Sequence, residues 1–384
     1  MKFEFSTVKR IIFGAGTVQQ AVLSAVQQGN HAFVITGGKK DRAQPLLDRL
    51  RRSGIQTSIF SVHSEPTIKI ALDGVKLARA KKCDLVIAIG GGSVMDTGKV
   101  VAALLSNRGE LLEYLEVIGS SKSITKQPVP CIAIPTTAGT GAEVTCNAVL
   151  GSPDHKVKVS MRSPLMFPCL TIVDPELTYS MPPDITASTG LDAFTQLLEV
   201  YVSNKSNPLT DGICIEGIKK AVKSLLLAYK QGENKSARED MSLASLFSGL
   251  ALANAKLGAV HGFAAPLGGI LSAPHGVICA ILLPQVIEAN IQALRSRNPD
   301  SPVLKRFDRL AKILKDDNHG KAAETIKWIQ DLCNELKISK LSKYGLKKED
   351  IPSIIEKAKN SSSMKGNPIE LTDKELEQIL LKTI

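Results

Sequence analysis

The stretch DLVIAIGGGSVMDTGK, residues 84–99, decides how this chain is organised. Residues 84–89 form a short Val- and Ile-rich run, which reads as a strand buried on both faces. It runs into Gly90-Gly91-Gly92, and Ser93-Val94-Met95-Asp96-Thr97-Gly98-Lys99 then opens a helix. Glycines between a strand end and a helix start let backbone N–H groups close on a phosphate, and the helix N-terminus adds positive potential. A plain tight turn needs the same glycines, so the triplet alone is weak evidence. It is neither the GxGxxG fingerprint nor a P-loop, because no GK[ST] follows.

The same pattern recurs on both sides. HAFVIT, residues 31–36, ends in Gly37-Gly38, and CIAI, residues 131–134, ends in Pro135-Thr136-Thr137. Residues 43–54 and 68–82 carry apolar side chains at helical spacing. Short apolar strands alternating with helices predict a parallel sheet covered on both faces, with ligands at the carboxyl ends of its strands. The segment PTTAGTGAEVT, residues 135–145, places four threonines and two glycines in one turn, which suits a polar ligand or a capped helix equally well. FEFSTVKRIIFGAG, residues 3–16, reads as a small hairpin joined to the sheet.

After Asp174-Pro175 the rhythm changes. Helical patterns cover 185–202, 207–231, 236–257, 321–336 and 348–360, and Thr372 with Glu375 forms a capping-box signature. The fold class is therefore α/β: a Rossmann-like parallel-sheet domain over residues 1–181, then an all-helical domain over 182–384.

Composition narrows the function. A chain of 384 residues is too long for one ordinary core, which favours two domains. No uninterrupted apolar run is long enough to span a membrane, and the N-terminus lacks the apolar stretch of a secretory signal. The expectation is a cytoplasmic protein without a membrane partner. The seven cysteines are odd in number and widely spaced, which predicts reduced, mostly buried thiols rather than a disulfide framework or a zinc ribbon. The net charge of +11 fits nucleic acid or an anionic small molecule; aromatics are only 4%, and the lysines space out like solvated helix faces, so no nucleic-acid partner is expected.

Taken together, GGGSVMDTGK, IPTTAGTGAEVT, Phe13-Gly14-Ala15-Gly16, Ile172-Val173-Asp174-Pro175, Gly190-Leu191-Asp192-Ala193, Asn207-Pro208 and Asn367-Pro368 resemble the iron-containing (group III) alcohol dehydrogenase family along nearly the whole chain. The resemblance implies the dehydroquinate synthase-like fold, with the active site in a cleft between the two domains and a homodimer as the expected assembly. It implies that Gly91, Gly92 and Ser93, with Asp96 nearby, hold the pyrophosphate of a nicotinamide dinucleotide. By the same likeness Thr136, Thr137, Thr140, Asn147, Lys158 and Leu177 lie along that cofactor.

The family holds iron, sometimes zinc, with one Asp and three His. Asp192, His261 and His275 match three of these positions, but the position four residues after the Asp is Gln196. A Gln carbonyl is a neutral and weaker donor than imidazole. Four residues past His261, where the family often has another His, stands Ala265. Three readings stay open. Asp192, Gln196, His261 and His275 bind Fe2+ or Zn2+, which polarises the substrate oxygen. Or no metal binds, and His261 or His275 acts as an acid, as in the related maleylacetate reductases. Or the set is a structural relic. His31, His63, His155 and His319 read as surface or strand-edge residues.

The expected activity is hydride transfer between NAD(P) and a small alcohol, aldehyde or ketone; the alternative is metal-independent reduction of an anionic oxoacid. An acidic residue after the first strand would bond a ribose 2′-OH and select NAD. Here that position is Gly37, followed by Lys39 and Lys40, which favours NADP.

Overall fold

The computed structural model describes every residue except Met1, Lys39 and Lys156, and at Lys40 and Asp41 it describes the backbone alone. The chain divides into two compact units, Ser6–Ser180 and Met181–Ile384, the second joined by the N-terminal residues through Phe5.

The first unit carries β1 (Ile11–Phe13), β2 (His31–Thr36), β3 (Gln56–Ser61), β4 (Leu85–Gly90), β5 (Cys131–Pro135), β6 (Asn147–Ser152), β7 (Val157–Arg162) and β8 (Leu170–Val173). Six of these form one sheet in the order β1-β8-β5-β4-β2-β3, with every pairing parallel. The expected α/β architecture is therefore present. Alternate residues of each strand feed two cores. Phe33, Ile35, Val86, Ala88 and Ala133 line one face, and Val34, Leu85, Ile87, Ile132 and Ile172 line the other. That two-sided burial is why these strands read as continuous apolar runs. Helices α1 (Gln20–Gln28), α2 (Gln44–Arg52), α3 (Ile68–Ala80), α4 (Gly92–Ser106) and the short α5 (Leu111–Tyr114) belong to the same unit.

The N-terminal hairpin is corrected. Ile11–Phe13 pairs in parallel with β8, and the Gly16 and Val18 N–H groups donate to the Asp174 carboxylate. The partner lies 158 residues along the chain, beyond the reach of local pattern. The antiparallel pair β6–β7 was not singled out in the sequence either.

In the second unit every element among the described residues is helical: α6 (Pro183–Val202), α7 (Pro208–Lys230), α8 (Lys235–Asn254), α9 (Ala259–Ile270), α10 (His275–Arg297), α11 (Pro302–Lys315), α12 (Ala322–Glu335), α13 (Ile351–Lys359) and α14 (Asp373–Leu381), with short 3-10 turns. Asn207 and Thr372 start their helices with capping boxes, the latter as the sequence implied. α6 is the central helix, packed by α7, α8 and α10. α10 is long and apolar enough to cross a bilayer, but 72% of its apolar window is buried inside the fold, as in a core helix. All seven cysteines are free.

Candidate functional site

The sheet order reverses between β2 and β4, and ligands bind at such switch points, outside the carboxyl ends of the strands. Register sets Thr36 beside Ile89 and Gly90 beside Pro135, so the glycine loop, the threonine loop and Gly37 emerge at one edge. The two loops touch. A Cβ on Gly92 would sit 3.0 Å from the Thr140 side chain, and one on Gly91 would sit 3.4 Å from Thr137. A side chain at Gly92 would make the Thr140 side chain give way, so glycine suits the close approach of the two loops. α4 begins without any side-chain cap, which leaves its first N–H groups for a ligand. Gly91, Gly92, Ser93, Thr137 and Thr140 are half-buried, whereas Thr136 is buried and its N–H is engaged by the Gly90 carbonyl.

Lys99 ties these segments together. It is 1% exposed, and its ammonium donates to the Ala142 carbonyl at 2.9 Å, to Thr145 Oγ1 at 3.0 Å and to the Asn147 carbonyl. Asp96 stands 3.2 Å from it and also accepts from the Val149 N–H. Burial raises the Asp96 carboxyl, and Lys99 opposes that shift. Asp96 and Asn147, both matched to the cofactor by resemblance, are thus parts of the internal brace. Lys158 forms an ion pair with Glu65 at 2.6 Å, and Leu177 packs against a sheet core. Gly37 leaves open space where a side chain would stand, and Lys39 lies outside the described residues.

Glu143, within the threonine loop, is buried, and burial pushes its carboxyl up to about 7. A carboxyl raised above its unfolded value favours the fold below about pH 4.5, and that contribution is lost as pH rises through about 7. Glu143→Gln is expected to raise Tm at about pH 8 and to change it little near pH 4. Thermal scans at both values check this; equal shifts would trace the effect to packing instead.

In the helical unit α6 presents Asp192, Gln196 and Glu199 one turn apart on one face. His261 lies in the first turn of α9 and His275 opens α10. Glu199 is the anchor. It accepts from the Val260 N–H at 2.7 Å and from His261 Nδ1 at 2.6 Å. This fixes the ring so that Nε2 faces Asp192 Oδ1 at 3.4 Å. His275 Nε2 reaches the same oxygen at 3.6 Å. α10 comes this close because Gly276 meets α6 backbone to backbone: a Cβ there would fall 1.9 Å from the Ser188 carbonyl oxygen.

The sequence reading missed two members of this cluster, Glu199 and Cys279. Cys279 Sγ lies 3.7 Å from both His261 Nε2 and His275 Nε2, and donor atoms of Asp192, His261, His275 and Cys279 all fall within 4.8 Å of one another. Its signal was available: it follows His275 by four residues on one helix, the spacing that relates Gln196 to Asp192. Burial pushes Cys131 and Cys333 up to about 12, as expected of inert thiols. Burial also acts on Cys279, but the two imidazoles outweigh it and hold the thiol below its usual value.

The cluster has the polarity of a cation site. Asp192 Oδ1 and Gln196 Oε1 are buried and accept no hydrogen bond among the described residues. Unpaired buried acceptors cost free energy unless something electropositive meets them. Burial works against charge on Asp192, yet His275 and His261 hold its carboxyl below the usual range, with Gln196 assisting. Burial likewise works against His261, and neighbouring Cys279, Asp192 and Glu199 still hold its imidazole well above the usual value. The donors present fit a divalent metal.

These features define a dinucleotide-binding α/β unit with a helical unit carrying a metal-type cluster, and the sequence comparisons agree. Residues 8–175 match the iron-containing alcohol dehydrogenase family, and residues 186–384 match the C-terminal part of the Fe-containing alcohol dehydrogenase family. The chain belongs to the iron-containing alcohol dehydrogenase family and is an oxidoreductase. It is 35% identical to alcohol dehydrogenase 4 of Saccharomyces cerevisiae over 90% of this chain and 87% of that one. It superposes on the alcohol dehydrogenase from Oenococcus oeni with a TM-score of 0.92 at 31% identity, covering 100% of both chains. A sulfoacetaldehyde reductase from Bifidobacterium kashiwanohense, solved in complex with NAD+, gives 0.87 at 29%, covering 100% of this chain and 99% of that one. Membership implies a nicotinamide dinucleotide and a divalent metal.

Proposed function

We propose that this chain interconverts a small alcohol and its aldehyde or ketone. In this reading Gly91, Gly92, Ser93, Thr137 and Thr140 hold the dinucleotide, and Asp192, His261 and His275 converge on the metal. The convergence of the Asp192, His261 and His275 donor atoms carries the reading. When bound, the metal supplies Lewis-acid polarisation of the substrate oxygen and the dinucleotide supplies the hydride. The protein's own part is positioning. Glu199 keeps the His261 Nδ1 proton, so the Nε2 lone pair points inward. Asp192 brings negative charge to a buried place, which favours a cation. Lys99 keeps the glycine and threonine loops at fixed separation.

The orphaned acceptor on Asp192 favours this reading over a metal-free oxoacid reductase, in which it would stay unpaired. NADP is the favoured dinucleotide, since Gly37 offers no carboxylate to a ribose 2′-OH and two lysines follow it.

The test is elemental analysis of anaerobically purified protein, with reduction of an aldehyde panel by NADPH and by NADH. About one metal per chain is expected, with the larger kcat/KM for NADPH. Absence of metal after reconstitution, together with turnover of oxoacids alone, would transfer the protein to the metal-free class.

A further inference from the structure

We infer that Cys279 is a metal ligand. The donor set is then Asp192, His261, His275 and Cys279; Gln196 rests against Asp192 rather than on the ion, and the site takes zinc in preference to iron. This rests on the reading that the cluster holds a divalent metal.

Geometry is the first support. Bonds of about 2.0–2.3 Å at tetrahedral angles place donor atoms roughly 3.3–3.8 Å apart. Asp192 Oδ1 lies 3.4 Å and 3.6 Å from the two imidazole Nε2 atoms, and Cys279 Sγ lies 3.7 Å from each. These four separations match one small ion, and all four donor atoms lie within 4.8 Å of one another. Cys279 is fully buried, and among the described residues the two imidazoles are the hydrogen-bonding groups at its sulfur.

Charge is the second. A carboxylate, a thiolate and two neutral imidazoles carry two negative charges among the donor atoms themselves, which suits a divalent ion in a buried place. The buried Glu199 carboxylate behind His261 adds a further negative charge, so the cluster as a whole is electronegative enough to hold a divalent ion beside a thiolate. Chemical softness is the third, because thiolate ligation favours zinc over hard-ligand metals, and a given site generally binds zinc more tightly than ferrous iron.

The experiment is loading of the full-length protein with cobalt(II), which substitutes for zinc and absorbs in the near ultraviolet by charge transfer when a thiolate is bound. The parent is expected to take up one cobalt per chain and show that band. Cys279→Ser should lose the band and bind zinc at least tenfold more weakly, whereas Gln196→Ala should keep the band. One cobalt per chain without a band, or a band that survives in Cys279→Ser, overturns the assignment of Cys279 and leaves the metal reading standing. Failure of the parent to bind either cobalt or zinc overturns both. The parent spectrum decides the first point even if a variant fails to fold.

Discussion

Replacing His275 with alanine is expected to strip the metal and lower kcat/KM for aldehyde reduction by roughly a thousandfold, about 4 kcal/mol of transition-state stabilisation. The ring supplies one of the converging donors, and its loss leaves the set one ligand short of the four a tetrahedral ion takes. Folding should survive. The His275 side chain is about one-third exposed, its position opens α10 behind Pro274, and alanine is favourable in a helix. Metal analysis, circular dichroism and steady-state kinetics check the three parts together. Near-normal turnover with near-normal metal content would remove His275 from the site. Lost metal with turnover retained would instead favour the metal-free reductase, with His261 as the acid.

Lys99→Met is expected to act mainly on stability. Removing one member of a buried ion pair typically costs about 3–5 kcal/mol, because the remaining charge is stranded. Here Asp96 would be left, together with the Ala142 and Asn147 carbonyls that lose their donor. For a unit of this size that corresponds to a fall in Tm of roughly 10 °C. Methionine keeps the aliphatic stem, so the loss reports the ammonium rather than a cavity. The dinucleotide KM should rise as well, since the brace sets the threonine loop against Gly91 and Gly92. Adding Asp96→Asn should restore part of the stability by removing the stranded charge. A Lys99→Met protein melting with the parent would mean that the ammonium contributes no net support.

The fold class was legible because doubly buried strands leave continuous apolar runs, and β2, β4 and β5 each end in a breaker. β1 was not, because three residues paired in parallel with a distant strand carry no local turn signal. In the candidate site, Asp192, His261 and His275 stood out through their surrounding motifs. Glu199 did not, since an acid on a helix ordinarily faces water, and only the packing of α9 shows it buried. Cys279 was hidden by its type: cysteines in such a chain are mostly small hydrophobes, as Cys83, Cys131 and Cys214 are. Lys99 looked like the last letter of a loop motif, and its three acceptors come from a segment about 45 residues later.

The contact at Gly276 governs how the cluster is spaced. Because α10 rests on the α6 main chain at Ser188, the distance between the helices carrying His275, Cys279 and Asp192 is set by backbone atoms. Side-chain rotation cannot widen it. The helix spacing is a fixed base from which the side chains of the cluster reach one another. Any side chain at position 276 would push the two helices apart, so the spacing of the cluster depends on a residue with no group of its own in it.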